Sequence, residues 1–298
     1  MNIENFLIED GELKRYTGSS SKVVIPNVVT SIGEYAFKEC YTLEEIEIPN
    51  SVTMIDNFAF LRCTKLKSIE IPNTVTRIGK EVFDYCKSLE RVKLSNSLTT
   101  IEYGTFHTCE SIKLIELPNS VTSIEDSAFS FCENLKSIEI PNTVTRIGKD
   151  AFSYCKKLET VKLSNSLTTI ENGTFDSCYG LINIEIPNSV TSIEDSAFSY
   201  CGKLKSIEIP NTVTRIGKEA FSYCASLETV KLPDVLTSIE DGVFEWCESL
   251  KHVEIPSSVT RIGECAFANC DELKSVTLPK SVISVGYEAF DEDVILKM

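Results

Sequence analysis

The 298-residue chain is 42% hydrophobic, enough for a substantial buried core in one large domain or two ordinary ones. Its formal charge of −15 repels a phosphate backbone and excludes a DNA or RNA interface built on a basic face. The first ten residues show no basic start followed by an apolar run, and no later stretch approaches the roughly 20 apolar residues of a membrane span, so neither a signal peptide nor a span is expected.

In chain order, the first predicted element is a hairpin: Asp10-Gly11 lies between the apolar-containing segments Phe6–Glu9 and Glu12–Lys14. Residues 1–24 are read as a cap. From Ile25 a 23-residue unit repeats, restarting at Ile48, Ile71, Leu94, Leu117, Ile140, Leu163, Ile186, Ile209, Leu232 and Ile255, with a partial twelfth copy from Leu278. A fixed period in this range marks a stacked-repeat architecture.

Within the unit Ile186–Glu208, Pro187 and Asn188 signal a turn, Val190, Ile193, Ala197 and Phe198 supply apolar positions, and Leu204, Ile207 and Ile209 end in the alternation of a short strand. Cys201 follows Phe198 by three residues, the spacing of one short helical turn. One such coil buries too little to offset the entropy of ordering it, so stability has to come from stacking, with strands of successive coils forming a parallel sheet. A second period of 69 residues overlies the first, because residues 117–185 recur closely in 186–254. At the end of the chain Asp291-Glu292-Asp293 occupies the phase of the expected twelfth cysteine; either charge ends the ladder there or the sequence is a fragment.

The recurring Ile/Leu-Pro, Val-Thr, Ile-Gly, Ala-Phe, Cys and Leu-x-x-Ile pattern from Ile25 to Phe290 resembles the BspA-like class of leucine-rich repeats. The resemblance implies an α/β-type repeat solenoid, a right-handed superhelix with a parallel β-sheet on its concave face and short helical turns or loops on its convex face. It also implies protein binding or adhesion, at a cell surface or after secretion. Free cysteines would instead fit a reducing interior. The expected organisation is the cap followed by one solenoid over residues 25–298.

Eleven cysteines from Cys40 to Cys270 share one phase and are expected to form a buried column rather than disulfides or metal sites, since neither close cysteine pairs nor neighbouring histidines accompany them. Cys265 stands apart, at a phase near solvent. The two histidines, His107 and His252, fall at different phases of distant units, and no nucleophile elbow, phosphate loop or zinc motif occurs. Neither an enzyme nor a cofactor is expected.

Two surfaces are candidates for a protein partner. On the strand face the outward positions include Glu45, Glu47, Arg91, Lys93, Leu114, Lys162, Asn183, Lys231 and His252. There Glu and Lys alternate so that each third coil carries a lysine, an order that also serves mutual neutralisation. The alternative is an aromatic edge just before the cysteine column, formed by Tyr85, Phe131, Tyr154, Tyr200, Tyr223 and Trp246, which packing between coils would equally explain. A spacer or assembly domain of a larger surface protein is the rival to recognition, because cassette copying sets length more directly than it sets any side chain.

Overall fold

The structure, a computed structural model, describes residues 4–297 and opens on a hairpin of β1 (Phe6–Glu9) and β2 (Glu12–Tyr16). Asp10 and Gly11 join the two strands with φ of 47° and 81°, the left-handed pair that a tight two-residue hairpin turn requires. The chain divides into two units, Met1–Cys155 and Lys156–Met298. Each is a parallel-strand β-solenoid of stacked coils.

In the first unit two short strands per coil follow the hairpin: Lys22–Val24 (β3), Ser31–Ile32 (β4), Glu45–Glu47 (β5), Met54–Ile55 (β6), Ser68–Glu70 (β7), Arg77–Ile78 (β8) and Arg91–Lys93 (β9). Strands β3, β5, β7 and β9 form one parallel row; β2, β4, β6 and β8 form a second. The second unit repeats both rows, with Ser206–Glu208 beside Thr229–Lys231 in one and Ser192–Ile193 beside Arg215–Ile216 in the other. This second row was not expected. Its two-residue strands, such as Ser192–Ile193, are too short to alternate visibly.

Each unit is held by columns of identical side chains. In the first, Phe37, Phe60, Phe83, Phe106, Phe129 and Phe152 are fully buried and stack at centroid distances of 5.0–5.5 Å. In the second, the phenylalanines from Phe175 to Phe290 stack at 5.1–5.6 Å. The cysteine column lies beside them, buried except at the half-buried Cys40, and forms no disulfide. The thiols also donate: Cys86 Sγ reaches the Phe60 carbonyl at 3.3 Å, and Cys224 Sγ the Phe198 carbonyl at 3.2 Å. Burial pushes the Cys224 thiol up to about 12.

The short helical turns expected on the convex face are absent: among the described residues there is no helix. Two residues per coil are left-handed, for example Glu81 (φ 51°) and Tyr85 (φ 58°), and they interrupt any right-handed run between Phe83 and Cys86. Alternate N–H groups therefore point along the stack instead of back to the fourth preceding residue. Those of Glu81, Phe83 and Tyr85 donate to the carbonyls of Tyr103, Thr105 and His107 in the next coil, at 2.8–3.0 Å. The cost of the left-handed residues is offset by this second ladder, in which these donors find partners.

Charge order accompanies the tightness of several rungs in the first strand row. Where a glutamate is followed one coil later by a lysine, pairing runs the full three residues and the side chains bond, as in Glu70–Lys93 and Glu208–Lys231. Where glutamate follows glutamate the rung loosens. Strands β5 and β7, bearing Glu47 and Glu70, pair only at Glu45–Ser68; Asn183–Ile184, which leads into Glu185, does not pair with Ser206–Glu208. Like charges directly opposite on adjacent strands repel, but charge is not the sole control: the row also breaks after Lys93, which faces the phase of Glu116, and between His252–Val253 and Ser275–Thr277.

Candidate binding groove on the strand face

The loosest junction of the first unit lies between the coils Ile71–Lys93 and Leu94–Glu116. Strand β9 has no partner in the next coil, the second row breaks between β8 and Thr100–Ile101, and the coil after β9 joins the strand row only through a bridge between Leu114 and Ser137. The turn side stays closed across the same junction, with Phe83 on Phe106 at 5.4 Å and the backbone ladder intact. The strand face holds a groove of about 920 Å³ that runs from Lys22 to Pro118 and includes this junction.

The groove is lined by four cations, Lys22, Arg91, Lys93 and Lys113, and five anions, Glu45, Glu47, Glu70, Glu90 and Glu116. Two pairs close: Lys22 with Glu45 at 2.8 Å, and Lys93 with Glu70. Elsewhere the phase of Lys113 pairs with the coil before it, as Lys67 does with Glu44 at 2.6 Å and Lys251 with Glu228 at 2.7 Å. The Lys67 ammonium holds the Glu44 carboxyl below its usual range. Across the loosened junction Lys113 and Glu90 form no such pair, and among the described residues Arg91 also has no ion-pair partner. Leu114, 57% exposed, stands on the coil that follows Arg91, and exposed Val24 lies at the other end of the lining.

Of the strand-face residues singled out from sequence, Glu45, Glu47, Arg91, Lys93 and Leu114 all line this groove. Lys162, Asn183, Lys231 and His252 belong to the second unit and lie outside it. There Asn183 pairs with Thr160 and His252 with Thr229 along the strand row. Sequence reasoning missed Lys22, placed within the cap, and Lys113, whose lysine recurs at the same phase in other coils and so looks unremarkable.

The aromatic edge is present in both units. Phe131 stacks on Tyr154 at 4.5 Å in the first; in the second Tyr200 stacks on Tyr223 at 4.4 Å and Tyr223 on Trp246 at 5.6 Å. Tyr85, Tyr200 and Tyr223 are between 36% and 39% exposed, so the edge is partly packed and partly open. Beside Tyr85, the buried Asp84 accepts a hydrogen bond from His107 Nδ1 at 2.6 Å, joining the two coils whose strand faces separate. His107 sits edge-on between Tyr85 and Phe131. Cys265 is half-buried, and its thiol is raised by burial and then by Glu245 and other nearby carboxylates, which disfavours a nucleophilic thiolate. Among the described residues no group of three or more His, Cys, Asp or Glu side chains is placed to hold a metal ion, and no helix is long and apolar enough to cross a membrane.

Comparison with known proteins places these features in context. A family profile described as a BspA type leucine rich repeat region (6 copies) matches residues 10–136, 99–228 and 191–297. The chain is similar to a leucine rich cell surface protein from Faecalibacterium prausnitzii, with 28% identity, 96% of this chain and 92% of that one covered, and a TM-score of 0.57. A leucine-rich repeat protein from Bacteroides ovatus gives 28% identity, 96% and 89% coverage, and a TM-score of 0.54. The pneumococcal vaccine antigen PcpA, 18% identical over 90% of this chain and 65% of its own, shares the fold at a TM-score of 0.54. No curated protein matches the chain.

Proposed function

Since the chain belongs to the BspA-type leucine-rich repeat family, a repeat class with no catalytic family indicated, we propose that it is a non-enzymatic protein-binding module whose first unit holds an extended segment of a partner in the strand-face groove. The observation that carries this reading is the juxtaposition of an unpaired Arg91, an unpaired Lys113 and an exposed Leu114 at one loosened coil junction. Arginine beside an apolar anchor is the composition of an interaction hot spot, whereas elsewhere this sheet neutralises itself. The partner contributes an apolar side chain against Leu114 and a carboxylate to Arg91. A cell-surface setting, with adhesion to a host or neighbouring cell, is supported by the F. prausnitzii relative, which is described as a cell surface protein.

The test is capture from bacterial and host surface extracts by the parent chain and by a variant carrying Arg91→Ala, Lys113→Ala and Leu114→Ala. A protein retained by the parent and lost by the variant supports the groove. Equal retention removes it and favours the spacer reading, which draws support from the copied 69-residue cassette.

A further inference from the structure

The groove's junction, between coils 71–93 and 94–116, has a counterpart at the same place in the copied cassette of the second unit, between coils 209–231 and 232–254. At both, the turn side is closed, with Phe83 on Phe106 at 5.4 Å and Phe221 on Phe244 at 5.6 Å. At both, the second strand row is broken: Arg77–Ile78 does not pair with Thr100–Ile101, nor Arg215–Ile216 with Ser238–Ile239. Among the described residues the N–H groups of Thr99, Glu102, Thr237 and Glu240 lack the bonds that their counterparts Thr53 and Asp56 make to the Thr30 and Ile32 carbonyls, at 2.9 and 2.8 Å. Both corners are tied by an asparagine side chain, Asn73 Oδ1 accepting from the Asn96 N–H and Asn211 Oδ1 from the Asp234 N–H, each at 2.8 Å.

The shared break coincides with one change in the core. Among the described junctions within either unit, the second row breaks at these two alone. The coil that follows the break carries leucine, Leu98 or Leu236, where the coil after an intact junction carries valine, as at Val52, Val121, Val213 and Val259. These side chains are at most 1% exposed, and in a close-packed core an added methylene is accommodated by moving the neighbouring backbone. What differs between the two junctions is the first row. In the second unit Thr229 and Val230 pair with His252 and Val253, the Lys251 N–H donates to the Glu228 carbonyl at 3.2 Å, and the two side chains meet at 2.7 Å. In the first unit β9 is unpaired, and Lys113 makes neither bond to Glu90.

We propose that the groove's junction is a gate, open as it stands and able to take the closed arrangement of its counterpart in the second unit, and that Leu98 is the wedge that keeps the second row from locking it. The turn side is the axis. Closing brings Lys113 onto Glu90 and pairs β9 with the next coil, which withdraws the free ammonium and narrows the groove. That the open form is the one that takes a partner rests on the groove reading above; the gate itself does not.

Amide hydrogen exchange of the full chain, read residue by residue with no partner present, tests both parts. In the parent, Lys113 is expected to show a protection factor at least tenfold below that of Lys251, and Thr99 and Glu102 at least tenfold below those of Thr53 and Asp56. Arg91→Thr with Leu114→His gives the first-unit strands the outward residues of the second, and is expected to raise protection at Lys113 at least tenfold. The reverse pair, Thr229→Arg with His252→Leu, is expected to lower it at Lys251 by as much. Leu98→Val is expected to bring Thr99 and Glu102 to the protection of Thr53 and Asp56, whose own unchanged values show that each variant is folded. Equal protection of Lys113 and Lys251 in the parent, or no change at either lysine in the exchanged variants, would overturn the gate. A Leu98→Val protein in which Thr99 still exchanges freely would overturn the wedge. Capture by the groove can fail while these shifts stand, so the two readings fall separately.

Discussion

Replacing His107 by alanine removes the side chain that bonds the Asp84 carboxylate, which is 9% exposed. A hydrogen bond to a charged group contributes about 1.5–3 kcal/mol. Stranding a fully buried charge costs about 3–5 kcal/mol. Asp84 keeps a small opening to solvent, so a loss of about 2–3 kcal/mol is expected for His107→Ala. The double variant Asp84→Ser with His107→Ser is expected to stay within about 1 kcal/mol of the parent, because it removes both partners together. The same column already holds a buried serine pair elsewhere, Ser199 and Ser222 at 3.4 Å. Urea unfolding followed by circular dichroism gives the free energies. Amide exchange at Tyr85, whose N–H donates to the His107 carbonyl at 3.0 Å, localises them. If His107→Ala proves no more costly than the double variant, Asp84 and His107 are not coupled and the clamp across the loosened junction is refuted.

Three further outcomes are expected. In the native protein at pH 8 a thiol-disulfide reagent should titrate Cys265 first and the column only on unfolding, since a thiol at about 12, as for Cys224 and Cys270, leaves on the order of one part in 10⁴ as thiolate; rapid reaction of several column thiols would contradict their burial. Glu245 is raised by burial and then by Glu219, so the folded state binds its proton more tightly than the unfolded state does. Stability should therefore fall as pH rises from about 4.3 through the raised folded value, and Glu245→Gln should be the more stable protein at pH 7, the difference vanishing below about pH 4, as thermal melts across pH will read. Phe198→Ala should cost about 3–5 kcal/mol. Phe290→Ala, at the half-buried end of its column, should cost clearly less in the same urea series.

The stack was legible because Phe198, Cys201 and Leu204 recur at fixed phases, and a side chain that must meet its own copy above and below cannot drift. The turn side was not legible. Phe198 to Cys201 has the spacing of a helical turn, and the left-handed backbone at Tyr200 is carried by an aromatic residue that announces no such conformation. The available signal was Gly104, Gly173 and Gly242, spaced by 69 residues, at the phase where Glu81, Ser127 and Ser196 are also left-handed. In the groove, Arg91 and Leu114 stood out as departures from the repeat. Lys113 did not, because what distinguishes it is a missing contact across a loosened junction rather than an unusual residue type.

The direction of the turn-side hydrogen bonds gives each coil a front and a back. The N–H groups of Phe37, Phe60 and Phe198 all donate toward the coil that follows, while in the second strand row Thr53, Thr76 and Thr191 donate to the coil that precedes. The surface left by any coil is thus a pattern of donors and acceptors that a coil laid in the same sense complements. A coil laid in reverse would bring donor against donor along the turns. Such a stack is keyed: it can be lengthened by copying a segment in frame, and the same pattern discourages two coils from joining front to front.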